Sequence, residues 1–119
     1  MREAFAHDAV LEMTPDADVR APGGAVTEAL CGLIDHEPPC PLAPHHSRAD
    51  RLGIQVHLRV LFAAESSQEG TVRQRIESAL MREHFRGPDG TITRWQLLWN
   101  EPSDVRPEEA DQAQQLARS

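Results

Sequence analysis

From Ile54 to Ala64 apolar and polar positions alternate, with Ile54, Val56, Leu58, Val60 and Phe62 set between Gln55, His57 and Arg59. A period of two is the mark of a strand with one buried face. Leu61 and Ala63 make the far end of this strand apolar on both sides. Val72, Ile76, Ala79 and Leu80 then recur at helical spacing, with Arg73, Arg75 and Glu77 on other faces. Ahead of them Ser66-Ser67-Gln68-Glu69 has the form of a capping box, so the pattern predicts a helix over 67–83. Thr91 to Trp99 alternates again and predicts a strand with Thr93, Trp95, Leu97 and Trp99 on one face. Pro107-Glu108-Glu109 has the proline and acids of a helical first turn. The helix that follows has only Ala110, Ala113, Leu116 and Ala117 to bury.

The remaining segments carry weaker patterns. Residues 1–13 mix Phe5, Val10, Leu11 and Met13 with charges, as a short helix would, and Met13 is an alternative start. Residues 16–24, with Pro22, Gly23 and Gly24, read as turn and loop. Val26, Leu30 and Ile34 suit either a helical or a strand face. Gly32 within the run, with Val26 and Thr27 at its start, favours a strand over 25–34. Residues 35–50 contain four prolines and no periodicity, which predicts a long irregular loop.

Together these elements predict an α+β fold. A small three-stranded mixed sheet is packed by one main helix, in a half-ferredoxin-like arrangement, with a C-terminal helix added. A helix between the strands at 54–64 and 91–99 makes those strands parallel. Residues 1–24 form a partly irregular N-terminal segment and residues 25–119 a single domain, a size that can bury a core without a metal or disulfide.

Charge narrows the partners. The formal net charge of −7 is concentrated in residues 1–50, and no basic stripe exists for a phosphate backbone. Nucleic acid is therefore not expected as a partner. Nor is a membrane, since no apolar run is long enough to cross one and the first residues lack a signal peptide's pattern. A cytoplasmic location is expected. All twelve basic residues are arginine and tyrosine is absent, which excludes Schiff-base chemistry and a tyrosine general acid.

Chemistry-bearing residues cluster in one place. Cys31, His36, Cys40, His45 and His46, both cysteines and three of the six histidines, fall within sixteen residues. Thiolate and imidazole are the donors zinc prefers, so Cys31, His36 and Cys40 with His45 or His46 form a candidate Cys2His2 set. The spacing matches none of the familiar C-x2-C knuckles. The alternatives are a small core cysteine at Cys31 with solvated histidines, or a Cys40 nucleophile activated by His36 or His45. In a reducing cytoplasm a Cys31–Cys40 disulfide is not expected.

Trp95 and Trp99 share one strand face and form either a core wall or a binding surface. His57 and Arg59 could bind an anion together with Arg94, but a solvated sheet face explains the three residues more simply. The apolar residues on both sides of the predicted strands need a second layer, which predicts a homodimer, and the C-terminal helix offers a surface for another protein. The expected function is that of a small binding or interaction module with zinc as its candidate metal. The alternative is a small enzyme using an open metal site or Cys40.

Overall fold

The computed structural model describes residues 2–31 and 43–118. Their elements are β1 (Arg2–Glu12), α1 (Ala21–Cys31), β2 (His45–Leu52), β3 (Gln55–Glu65), α2 (Glu69–Met81), β4 (His84–Arg86), β5 (Ile92–Arg94), β6 (Gln96–Ser103) and α3 (Ala110–Arg118).

The fold is α+β, but the sheet differs from the expected three-stranded mixed one. Four strands pair in the order β2-β3-β1-β6, all antiparallel, and β4 and β5 form a separate antiparallel pair. Because β1 and β2 both run against β3, α1 joins parallel strands with a third strand between them. The same holds for α2, which joins β3 to β6 with β1 between, so this is a split β-α-β topology.

Residues 1–13 are not the expected helix. Residues 2–12 form β1, which lies between β3 and β6 in the middle of the sheet. Ala9, Leu11 and Met13 point into the core on one face, and Ala6 and Asp8 are buried on the other. A strand buried on both faces shows no clean alternation.

Within the 25–34 segment residues 25–31 are helical rather than extended, and residues 32–34 lie outside the described residues. Pro22, Val26 and Leu30 recur every fourth residue and are buried. The early glycines serve a close approach: a Cβ on Gly24 would stand 2.8 Å from Phe85 Cε2 of β4. The predicted loop over 35–50 includes β2, whose residues alternate between half-buried and exposed along the sheet edge. Polar side chains at such an edge discourage pairing with other chains.

β3 and α2 follow the sequence pattern. Val56, Leu58, Val60 and Phe62 share one buried cluster with Val72, Ile76 and Leu80, and α1 adds Val26 and Leu30. The capping box does not form, since no side chain caps either Ser66–Gln68 or α2, and Glu69 instead pairs with Arg73 at 2.8 Å.

The predicted 91–99 strand is divided at Trp95. Its backbone N–H donates to the Glu83 carbonyl at 3.0 Å and its indole N–H to the Leu80 carbonyl at 2.9 Å. Glu83 takes a left-handed φ of 60° to end α2 here, and its carboxylate accepts the Leu97 N–H. β6 then pairs with β1 through a bulge: Leu97 faces Leu11, Trp99 faces Val10, and Leu98 is the extra residue. That one residue reverses the alternation. Trp95 belongs to the helix-side core while Trp99, 46% exposed, lies on the opposite face, so the two tryptophans do not share a side.

Candidate functional site

Two groups of polar side chains stand out, one on each side of the sheet. The first lies where the end of α1 meets the start of β2. Thr27 and Cys31 are one helical turn apart, so both look toward β2. Between them sits His45. Its Nε2 is 2.9 Å from Thr27 Oγ1, and its Nδ1 is 3.8 Å from Cys31 Sγ and 3.2 Å from the Ala43 carbonyl. The corner opens into a cavity of about 360 Å³ lined in part by Val19, Arg20, Gly23, Thr27 and His45.

Cys31 and His45 are thus brought together, 14 positions apart in the chain. His46, the next residue on an extended strand, projects from the other face. There it lines a cavity of about 120 Å³ with Arg48, Arg59 and Glu109. His36 and Cys40 lie outside the described residues. Cys31 is 2% exposed and disulfide-bonded, in place of the expected free or metal-bound thiol. A disulfide sulfur carries no thiolate charge, so the metal-ligating form of Cys31 is its reduced form. Among the described residues no group of three or more His, Cys, Asp or Glu stands at metal-holding distances.

The second group centres on Arg59, which the sequence pattern places on a solvated face with His57 and Arg94; Arg59 is instead buried, while His57 is half-exposed and Arg94 exposed. Arg59 is 3% exposed. Its Nε and NH2 donate to the two Glu109 oxygens at 2.7 Å each, and NH1 donates to both Asp8 oxygens at 3.0 Å. NH1 also reaches Ser103 Oγ at 3.1 Å, and NH2 the Asp104 carbonyl at 2.7 Å. His57 Nε2 stands 3.1 Å from Asp8 Oδ1. Arg59 hydrogen bonds pull the Glu109 carboxyl down to about 2, against the effect of burial. Burial pushes the Asp8 carboxyl up, but hydrogen bonds from Ser103, Arg59 and His57 outweigh it and hold it below its usual value. With this many partners the guanidinium is a strut fixing α3 to the sheet, not an anion receptor. Its sequence signal is a charge within the apolar run Leu58 to Ala64.

On the helix side, His7 is 4% exposed and joins β1 to its neighbours. Nε2 meets Asn100 Oδ1 at 2.9 Å and Nδ1 meets Arg73 NH1 at 3.1 Å. An amide oxygen and a guanidinium as partners select the neutral ring with its proton on Nε2. Burial is the main cause of its lowered pKa; the Asn100 hydrogen bond opposes the shift and Arg73 adds to it.

Trp95 has its indole N–H satisfied within the core, which leaves Trp99 as the exposed aromatic. No described helix is long and apolar enough to cross a membrane. No family model matches the chain, and neither does any curated protein or solved structure.

Proposed function

We propose that this chain is a small binding module that holds a transition-metal ion, zinc by donor type, at the α1–β2 corner. Cys31, as its thiolate, and His45, through Nδ1, are the described donors. The sequence adds His36 and Cys40 as the remaining candidates. The observation that carries the reading is the 3.8 Å approach of Cys31 Sγ to His45 Nδ1. Zinc–sulfur and zinc–nitrogen bonds of about 2.3 and 2.0–2.1 Å at a tetrahedral angle put the two donor atoms about 3.6 Å apart. The pair therefore stands near ligand spacing already. Thr27 supplies the outer partner that a ligating imidazole needs on its other nitrogen.

Four protein donors would make the ion structural, and three with a water would give the alternative, a small enzyme with an open metal position. The element order resembles a ferredoxin-like one, a likeness of fold that carries no function. A cytoplasmic location remains part of the proposal. Elemental analysis of chain purified without chelator, with its thiols reduced, tests it. About one equivalent of zinc is expected, and under about a tenth of an equivalent of any transition metal contradicts it.

A second reading, self-association, rests on Trp99. It is 46% exposed next to the 37% exposed Leu98, both on the outer strand β6, where a second copy can cover them. Light scattering giving a monomer mass, unchanged on roughly tenfold dilution from micromolar concentration, would contradict it. The apolar stripe of α3 is in part used by the chain itself, since Ala113 is buried. Its exposed face is what remains for a protein partner.

A further inference from the structure

At the end of the sheet where β1 gives way to the 13–20 loop, a cavity of about 410 Å³ opens between that loop, the β2–β3 turn and the β5–β6 junction. Its volume is that of a small-molecule site. Met13, Pro15, Ile54 and Trp95 give it an apolar lining, and Glu12 and Arg94 add one acid and one base. Met13 and Trp95 are buried, Ile54 is 50% exposed, and both charged side chains are exposed at the rim.

The walls are fixed before any ligand arrives. The Met13 N–H donates to the Ile54 carbonyl at 2.8 Å and ties the loop to the turn. The Arg51 guanidinium spans the same two segments. Its NH1 donates to the Gly53 carbonyl at 3.0 Å and to that of Met13 at 3.3 Å, and its NH2 donates to the Thr14 carbonyl at 3.0 Å. Trp95 is held by its backbone and indole N–H groups. A site shaped in advance loses little ordering entropy when it binds.

Glu12 and Arg94 line one cavity, yet neither side chain has an ion-pair or hydrogen-bond partner among the described residues. Arg51, Arg59 and Arg73, by contrast, are all spent on protein acceptors. Two opposite, unpaired charges beside an apolar lining match a molecule that carries a carboxylate, an ammonium and an apolar substituent. We infer that this cavity is a binding site for a free α-amino acid with a large apolar side chain. Arg94 takes the carboxylate, Glu12 takes the ammonium, and the side chain lies on Met13, Ile54 and Trp95. The net charge of −7 repels a simple apolar anion, whereas a zwitterion carries no net charge to repel. The site shares no residue with the α1–β2 corner and does not rest on the metal reading.

The full chain is titrated with L-phenylalanine while the indole N–H signals of Trp95 and Trp99 are followed by NMR. Phenylpropanoate, which lacks the ammonium, and phenethylamine, which lacks the carboxylate, are titrated in parallel. L-phenylalanine should bind with a Kd below about 1 mM, and each analogue at least about tenfold more weakly. The Trp95 signal should shift on binding, and the Trp99 signal, on the far face of the sheet, should not. Arg94→Gln and Glu12→Gln change exposed side chains and should each weaken binding about tenfold. No shift of Trp95 with L-phenylalanine at about 10 mM overturns the site. Equal affinity for either analogue, or an unchanged affinity in both variants, overturns the zwitterion assignment.

Discussion

Arg59 of β3 and Glu109 at the head of α3 meet through two parallel hydrogen bonds of 2.7 Å, with the arginine 3% and the glutamate 8% exposed. Ala113 is the one buried residue within α3 itself. The C-terminal helix is therefore held less by its apolar stripe than by a charge pair at its start. Removing the guanidinium leaves two carboxylates buried without their cation. Arg59→Leu should cost about 3–5 kcal/mol in urea unfolding, whereas Glu109→Gln, which keeps a polar partner, should cost less. Equal and small losses in both would mean that the pair does not hold the helix.

Acid should weaken the protein in two steps. His7 has a folded pKa below its ordinary 6.5, so the unfolded chain binds more protons as pH falls through that value. Stability is full above it and is lost as pH drops toward the folded value. Glu109 has an ordinary value of 4.5 and a folded one of about 2, so its contribution is present above 4.5 and lost as pH falls toward 2. Urea midpoints measured across pH should show both losses. His7→Gln should abolish the upper step and keep the lower. A wild-type midpoint that stays flat from pH 7 to about pH 5 would contradict the assignment of His7.

The main core makes a plainer prediction. Leu58 and Ile76 are each 1% exposed or less and belong to one cluster spanning β3 and α2. Truncating either to alanine should cost about 2–5 kcal/mol by the urea midpoint, from lost transfer energy and the cavity left behind. An unchanged midpoint in either would place the residue outside the core.

What could be read from the sequence follows from how each segment is buried. α2 presents one face to the core, and in β3 the apolar Val56, Leu58 and Val60 still alternate with Gln55, His57 and Arg59 although Arg59, Leu61 and Ala63 are buried on the other face, so both periods survive in the residue pattern. β1 is enclosed between two strands with Ala6 and Asp8 buried opposite Ala9 and Leu11, and its alternation is lost. β2 is an edge strand of His, Ser, Arg and Asp, where polar residues carry no hydrophobic signal. Gly24 counted against a helix because only the distant Phe85 gives it a purpose. Gly24→Ala should therefore destabilise, by about 1–3 kcal/mol in urea, despite alanine's better helix propensity. A stabilised Gly24→Ala would mean that Phe85 yields freely.

The site was legible in composition and not in geometry. Clustering of Cys31, His45 and His46 was visible, but their orientation depends on β2 being extended, which turns His45 to α1 and His46 away. Trp95 and Trp99 were parted by a single bulge residue, Leu98, which no local pattern announces. The buried role of Arg59 needed partners from residues 8 and 109, nearly the full length of the chain apart.

The measurement closest to the central claim is zinc-edge X-ray absorption on the reduced, zinc-loaded chain, compared with Cys31→Ser and His45→Ala. The account predicts a first shell with both sulfur at about 2.3 Å and nitrogen at about 2.0–2.1 Å, with sulfur reduced in the first variant and nitrogen in the second. A first shell of oxygen alone, or one that neither variant alters, would contradict it.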